Sequence, residues 1–230
     1  MQSANPLISV VIPAFNEQAN IVKVIQQTEA TMDSLKLPYE VIVVDDGSND
    51  HTRHYASNNG AILVSYRKNQ GKGHALRQGL AKAKGQFLIT IDADGSHRPE
   101  DIPKMVKPLL NGIDAVIGSR FHSKNEKVTS KLHILGNHLF NTLIMILTKK
   151  KITDSQTGFR SFKRKVLEKM QLFSKGYGIE TELTIKTLQN GFKVIEEPIF
   201  CDERRNGRSK LNTLSDGFTI LKTILKASFI

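Results

Sequence analysis

The stretch Leu88-Ile89-Thr90-Ile91-Asp92-Ala93-Asp94-Gly95 decides the fold of this chain. Its first four residues are apolar or β-branched and predict a buried strand, which ends on two carboxylates one residue apart. Ligands of α/β proteins bind beyond the carboxyl ends of parallel strands, so two acids placed there indicate a site. Carboxylate oxygens at this spacing suit a hard cation, Mg²⁺ or Mn²⁺, with phosphate completing its coordination. We therefore predict a metal and phosphate site at Asp92 and Asp94.

Strand and helix patterns alternate around this stretch. Apolar runs predict further strands at residues 8–14, 39–44, 61–66 and 115–117, with helical patterns between them. This alternation predicts an α/β fold with a mostly parallel sheet that carries helices on both faces. The glycine patterns of NTPase phosphate loops and of dinucleotide-binding domains are both absent from the sequence, which disfavours those two classes.

Length and composition bound the number of domains. With 230 residues of ordinary globular composition, the chain is expected to form one domain over residues 1–230. A single cysteine gives no intrachain disulfide, and neither a signal peptide nor an apolar run long enough to cross a membrane is visible. We expect a cytoplasmic protein that associates with membranes peripherally.

The positive charge is concentrated in the second half of the sequence. Residues 1–120 carry 13 Lys and Arg against 12 Asp and Glu, whereas residues 121–230 carry 20 against 10. Amphipathic helical patterns span 132–147 and 211–229 in the same half. Such a half could meet nucleic acid, an anionic membrane or an anionic lipid, or be a solvated surface. For the apolar helix faces, packing against the domain is the commoner use, and lipid contact is the alternative.

Seven short motifs occur in a defined order. They are 9–17 (SVVIPAFNE), 43–48 (VVDDGS), 71–73 (GKG), 92–94 (DAD), 118–120 (GSR), 157–160 (TGFR) and 204–210 (RRNGRSK). The first four together resemble the family-2 glycosyltransferases of GT-A fold. The last three are similar to the polyprenyl-phosphate members of that family, of the dolichol-phosphate mannose synthase type. The resemblance runs from Ile8 to Leu211 and implies a GT-A fold, to which the apolar periodicity adds two C-terminal amphipathic helices.

The resemblance implies a nucleotide sugar bound over the carboxyl ends of the strands. The residues implied to hold its nucleoside are Pro13, Phe15, Glu17, Val44 and Asp46. Those implied to handle ribose, metal and diphosphate are Asp92, Ala93 and Asp94. Phosphate oxygens would be faced by Arg120, Arg204 and Lys210, and the phosphate of the acceptor by Arg120 and Arg160. His97 is expected to serve the loop or a helix cap rather than the metal.

The reaction implied by the resemblance is an inverting, metal-dependent transfer of a hexose from a nucleotide sugar to a polyprenyl phosphate. Residues 1–120 would bind the nucleotide sugar, and residues 121–230 would bind the acceptor and face the membrane. Mannose from GDP-mannose is the first donor expected, followed by glucose or an N-acetylhexosamine from a UDP-sugar.

Two alternatives to this reaction remain open: transfer to a hydroxyl acceptor, and a binding module without enzymatic activity. A phosphate acceptor needs no base, because a phosphate monoester is largely ionised near neutral pH, its second pKa being about 6. A hydroxyl acceptor on a glycan or glycolipid would need a carboxylate base, Glu182 or Glu180. The other alternative is a non-enzymatic basic module for nucleic acid or membranes. We expect no nucleic-acid partner, because Asp92 and Asp94 would repel phosphate in the absence of a metal.

Overall fold

A seven-stranded sheet forms the centre of the protein. The computed structural model describes residues 5–121, 131–202 and 213–227. The strands are β1 (Ile8–Ala14), β2 (Tyr39–Asp45), β3 (Ile62–Ser65), β4 (Phe87–Thr90), β5 (Ala115–Ser119), β6 (Arg160–Lys163) and β7 (Val194–Pro198). Their order is β3-β2-β1-β4-β6-β5-β7, and β6 runs antiparallel to both its neighbours while the other pairs are parallel. The mostly parallel α/β sheet predicted from the sequence is confirmed.

Helices cover both faces of this sheet. They are α1 (Ile21–Leu35), α2 (Thr52–Asn58), α3 (Lys72–Lys82), α4 (Ile102–Leu110), α5 (Lys131–Thr148), α6 (Arg164–Glu168), α7 (Ile179–Gln189) and α8 (Thr213–Ala227), with a 3₁₀ turn at Pro99–Asp101. Successive strand residues point to opposite faces, so Val10 joins the core beneath α1 and α4 while Val11 joins the core beneath α3 and α7. The two cores explain why the central strands are apolar without alternation.

Helix α5 packs with only part of the apolar face that its sequence pattern predicts: Ile144 is buried, and Phe140 and Leu143 pack against the same cluster. Leu135 is 67% exposed and Leu139 is 57% exposed, whereas Asn137 and Asn141 are buried. Both asparagine amides donate to the Thr153 carbonyl, over 3.2 and 2.7 Å. The expectation that Leu135 and Leu139 pack against the domain is therefore wrong, because a buried carbonyl needs the hydrogen bonds that leucine cannot supply.

Helix α8 is apolar on two faces. Ile220, Ile224 and Ala227 pack with α5 and α7 in a third cluster. Phe218 and Leu225, which belong to the face expected from the sequence, are exposed. Among the residues that the structure describes, no helix is both long enough and apolar enough to cross a membrane.

Candidate active site

The carboxyl ends of four strands open on one edge of the sheet. Ala14 of β1 pairs with Asp45 of β2, and Val11 pairs with Thr90 of β4, so these strands end side by side. Because β6 is antiparallel to both β4 and β5, strand β5 also ends at this edge. This arrangement brings together the residues that follow the four strands. They are Phe15 after β1, Asp46 after β2, Asp92 shortly after β4, and Arg120 after β5.

Asp92 is held tightly from three sides. Its Oδ1 lies 2.6 Å from Nζ of Lys72, and its Oδ2 lies 3.8 Å from Nδ1 of His97. A Cβ on Gly158 would lie 2.5 Å from both carboxylate oxygens, so only glycine fits there without a shift. Burial by itself raises the pKa of Asp92, but the positive groups around it, Lys72 first among them, together hold the pKa below its ordinary value.

Lys72 links Asp92 to helix α7. Its ammonium also lies 2.7 Å from Oε1 of Glu180, which is the second residue of that helix. Burial lowers the pKa of Lys72, but the charges of Asp92 and then Glu180 more than offset this effect. The pKa therefore lies above its ordinary value, and the side chain stays cationic. Gly71, with a φ of +96°, turns the chain into α3 just before this lysine. Sequence reasoning singled out the glycine-lysine-glycine motif but did not find this ion pair.

Asp94 is fixed by its own loop. Its Oδ1 accepts hydrogen bonds from the Ser96 amide (3.0 Å) and from the Ser96 hydroxyl (2.7 Å). The Ser96 carbonyl in turn accepts the amide of Asp202, which follows β7. Gly95 has a φ of +73°, a conformation that permits the turn between the acid and the serine.

The site fits a divalent cation that is shared with a phosphate. Among the described residues, no three His, Cys, Asp or Glu side chains converge to enclose a metal. Two carboxylates one residue apart are the donor set with which Mg²⁺ is held when substrate phosphates and water complete its shell. His97 Nδ1 is buried without a hydrogen-bond partner beside Asp92, and burial lowers the pKa of this imidazole, which stays neutral. His97 thus lies beside the acidic pair, a position that the predicted role in the loop or in a helix cap did not include.

The residues implied for the nucleoside lie at the ends of β1 and β2. Asp46 is buried, and its carboxylate accepts hydrogen bonds from the Gln70 amide (2.8 Å), the Gly71 amide (2.9 Å) and the Asn69 side chain (2.8 Å). The Tyr66 hydroxyl lies close by, and burial followed by Asp46 raises its pKa. Asp46 therefore ties the loop before α3 to the end of β2.

The other nucleoside residues differ in their access to this edge. Pro13 and Phe15 are half-buried, and the Glu17 carboxylate accepts a hydrogen bond from Asn20 (2.9 Å). Val44 and Ala93 are buried in the two cores. Any contact that these two residues make with a ligand must come from the backbone.

Arg120 is oriented by a chain of acids. Its Nε and Nη2 donate to the two oxygens of Asp154 over 2.7 and 2.8 Å. Glu196 of β7 accepts the amides of Thr153 and Asp154, which fixes the loop that carries Asp154. Burial lowers the pKa of Arg120, but Asp154 raises it above its ordinary value, so the guanidinium stays charged. The structure thus places a fixed cation at the same edge as the acidic pair.

Arg160 is buried and bonded to the protein itself, which argues against the contact with the acceptor phosphate that was predicted from the sequence. It is 1% exposed, and its guanidinium donates to the carbonyls of Thr157 and Ser155 and to the hydroxyl of Thr184. All three bonds point into the protein. Arg160 therefore holds the start of β6 against α7, a structural role that a lone arginine in a motif does not reveal.

The two glutamates named as bases are both engaged. Glu182 is 0% exposed; its carboxylate accepts the amides of Phe173 and Ser174 and lies 2.9 Å from Nζ of Lys186. Glu180 is buried and paired with Lys72. The remaining two site residues of the prediction, Arg204 and Lys210, lie outside the described residues.

The fold and the strand-end site together define the class of the protein: a glycosyltransferase of GT-A fold. The chain belongs to glycosyl transferase family 2, whose model matches residues 9–171. The resemblance inferred from the motifs is confirmed.

Three known proteins illustrate what the chain is similar to. It is 36% identical over 231 residues to an uncharacterized protein of Methanocaldococcus jannaschii, which covers 96% of this chain and 93% of that protein. It is 32% identical over 230 residues to undecaprenyl-phosphate 4-deoxy-4-formamido-L-arabinose transferase of Edwardsiella ictaluri, with 94% of this chain and 68% of the relative covered. The crystal structure of glucosyl-3-phosphoglycerate synthase from Mycobacterium tuberculosis in complex with Mn²⁺, UDP-glucose and phosphoglyceric acid matches with a TM-score of 0.79 and 27% identity, over 99% of this chain and 81% of that one.

The comparisons confirm the coarse chemistry. The protein is a glycosyltransferase, and crystal structures of the similar glucosyl-3-phosphoglycerate synthase hold Mn²⁺ and UDP. The residues that carry out each step, the sugar and the acceptor are matters for proposal.

Proposed function

We propose that the protein transfers a hexose, with inversion, from a UDP-sugar to a polyprenyl phosphate at a membrane surface. The observation that carries this proposal is the meeting of Asp46, Asp92, Asp94 and Arg120 at one edge of the sheet. In this proposal residues 1–120 bind the nucleotide sugar and residues 121–230 bind the acceptor, with Arg120 at the boundary.

The hydrogen bonds of Asp46 favour uridine over guanosine as the donor nucleoside. A carboxylate offers about four acceptor positions, and three of those of Asp46 are taken by Asn69, Gln70 and Gly71. Guanine presents two neighbouring donors, N1–H and N2–H, which require both oxygens of one carboxylate. Uracil presents a single donor, N3–H. The remaining capacity of Asp46 therefore suits UDP, in place of the GDP-mannose first expected from the sequence.

The engagement of the two glutamates favours a phosphate acceptor over a hydroxyl. A hydroxyl must lose a proton to a base during attack, yet Glu182 is buried among backbone amides and Glu180 is paired with Lys72. An acceptor phosphate is already ionised and needs only to be positioned. Arg120 can do this with a guanidinium that Asp154 holds in one orientation.

The acidic pair is proposed to bind the metal, and the basic residues are proposed to bind the phosphates of the donor. Mg²⁺ or Mn²⁺ held by Asp92 and Asp94 would stabilise the negative charge that develops on the leaving nucleoside diphosphate. Arg204 and Lys210 are proposed to bind phosphate oxygens of the same group. Attack by the acceptor phosphate on the face of the sugar opposite to the leaving group gives inversion.

The outer faces of α5 and α8 are proposed to rest on an anionic membrane. These two helices pack against each other and expose large apolar side chains, namely Leu135, Leu139, Ile146, Phe218 and Leu225. Exposed lysines follow the end of α5 at 149–151 and lie on α8 at 222 and 226. Apolar groups beside cations suit an interface with anionic lipid, where the lipid acceptor is also found.

A transfer assay with four donors tests the reaction. The full chain is incubated with Mn²⁺, polyprenyl phosphate and radiolabelled UDP-glucose, UDP-N-acetylglucosamine, GDP-mannose or GDP-glucose, and the label is counted in the organic phase. The proposal expects label from a UDP-sugar and none from the Asp94→Asn variant. Transfer from a GDP-sugar alone would overturn the choice of base, and label found only on a water-soluble acceptor such as phosphoglyceric acid would overturn the lipid acceptor.

Vesicle flotation tests the membrane surface separately. The parent is expected to float with vesicles containing anionic phospholipid and to float less with purely zwitterionic vesicles. The double variant Leu139→Gln with Phe218→Gln should lose flotation, whereas Leu110→Gln, which alters an equally exposed leucine on α4, should not. Equal flotation of both variants would refute the assignment of this surface.

A further inference from the structure

Among the residues that the structure describes at the active-site edge, Lys72 is a cation shared at short distance by two acids. It lies 2.6 Å from Asp92 and 2.7 Å from Glu180, so it joins the start of α3 to the loop after β4 and to α7. No step of the proposed reaction requires this lysine. The contact of Lys72 with Asp92, a carboxylate that the proposal assigns to the metal, therefore requires a separate explanation.

We propose that Lys72 is a positioning residue that holds Asp92 in place and weakens the binding of a divalent cation until the nucleoside diphosphate arrives. The inference rests on the proposed assignment of Asp92 and Asp94 to the metal. The cation and the diphosphate would then bind together and leave together, since neither is held strongly without the other.

Charge accounts for the weakening. Asp92, Asp94 and Glu180 carry three negative charges, and Lys72 offsets one of them from hydrogen-bond distance. A divalent cation near Asp92 is repelled by the ammonium and competes with it for the carboxylate. The diphosphate adds negative charge on the opposite side of the cation, which compensates for that repulsion.

Geometry accounts for the positioning. Lys72 takes Oδ1 of Asp92, while the backbone of Gly158 lies against the carboxylate. Glu180 receives the same ammonium from the other side, so the lysine is anchored to α7 and cannot follow Asp92 if that side chain turns. Asp92 is thereby held in one orientation before any ligand binds.

Two substitutions with opposite expected signs test the inference. The Kd for Mn²⁺ is measured at pH 8, by the electron paramagnetic resonance signal of free Mn²⁺, with and without UDP. Lys72→Met should bind Mn²⁺ alone at least about tenfold more tightly, and UDP should improve its Mn²⁺ affinity by a smaller factor than in the parent. Glu180→Gln should bind Mn²⁺ alone more weakly, because a negative charge is lost and Lys72 is left entirely to Asp92.

A matched control separates this effect from a loss of structure. Lys186→Met removes another buried lysine–glutamate pair, Lys186 with Glu182 on the same helix, and should leave the Mn²⁺ affinity unchanged. Circular dichroism melts check that each variant is folded. If Lys72 has only a structural role, the Mn²⁺ Kd of Lys72→Met and that of Glu180→Gln should shift in the same direction, and that result would overturn the inference. If Lys72→Met does not fold, an unchanged or tighter Mn²⁺ Kd for Glu180→Gln overturns it.

The same titration separates failure of this inference from failure of the proposed site. Asp94→Asn should lose most of the Mn²⁺ affinity of the parent. If it does, while Lys72→Met binds like the parent, only the role of Lys72 is refuted. If Asp94→Asn binds Mn²⁺ as the parent does, the proposed metal site is wrong and the inference falls with it.

Discussion

The position of Gly158 allows a sharp test of the active-site geometry. An alanine Cβ at this position would lie 2.5 Å from both carboxylate oxygens of Asp92, whereas ordinary van der Waals contact begins at 3.4 Å. The Asp92 carboxylate must therefore move by about 1 Å in Gly158→Ala. That movement would stretch or break the 2.6 Å contact with Lys72 and displace the proposed metal ligand.

The expected cost follows from this displacement. Misplacing a catalytic group by about 1 Å can lower a rate by roughly 100-fold, and overpacking a buried site costs about 1–3 kcal/mol of folding stability. We expect Gly158→Ala to remain folded, to melt several degrees below the parent and to lose most of its Mn²⁺-dependent UDP binding. The binding is measured by isothermal titration of UDP at saturating Mn²⁺, and turnover by release of UDP from a UDP-sugar.

The control is a glycine without neighbours. Gly176 has nothing within 4 Å of a built Cβ and has no left-handed φ, so Gly176→Ala should match the parent in melting, binding and turnover. If Gly158→Ala binds UDP with Mn²⁺ as tightly as the parent does, the close packing of Asp92 has no part in donor binding and the reasoning fails.

Three further predictions concern stability and reactivity. Burial raises the pKa of Asp114, but Lys165 first and then backbone hydrogen bonding hold it below its ordinary value; the stabilisation is therefore present above about pH 4, the ordinary Asp pKa, and lost below it. Asp114→Asn should cost about 1 kcal/mol at pH 7 in urea unfolding, with the difference shrinking below pH 4. Burial raises the pKa of Cys201 to about 12 from 9.0, so its alkylation at pH 8 should be about a thousandfold slower in the folded than in the urea-unfolded protein. Asn141→Leu should cost about 1–3 kcal/mol in unfolding, because the Thr153 carbonyl loses its shorter hydrogen bond and the Ser155 amide loses its partner.

The central part of the fold follows from local sequence patterns, and the rest does not. Strands β2 and β4 are apolar runs that stop on polar turns, and that pattern in a parallel sheet places Asp46 and the 92–94 pair at one edge. Strand β6 reads Arg-Ser-Phe-Lys and was not predicted, because an antiparallel strand between two parallel ones is specified by pairing with distant residues.

Contacts between residues far apart in sequence explain the errors within the site. Lys72, Asp92 and Glu180 are separated by 20 residues or more, so no spacing rule joins them, although each lies in a motif or pattern noticed in the sequence. Arg160 closes a Thr-Gly-Phe-Arg motif and begins strand β6, and neither feature shows from the sequence that its side chain is buried. Its burial depends on the carbonyls of 155 and 157 and on Thr184, which become its partners only in the folded chain.

Helix α5 shows how one helix can serve the surface and the site together. Leu135 and Leu139 belong to the pattern that usually marks a core, yet they are exposed, because Asn137 and Asn141 share the buried side with Ile144. Those asparagines bind the Thr153 carbonyl, and the next residue, Asp154, holds Arg120. The polar residues of this helix therefore support Arg120, the cation proposed to bind the acceptor phosphate, while the exposed apolar residues of the same helix belong to the surface proposed to meet the lipid.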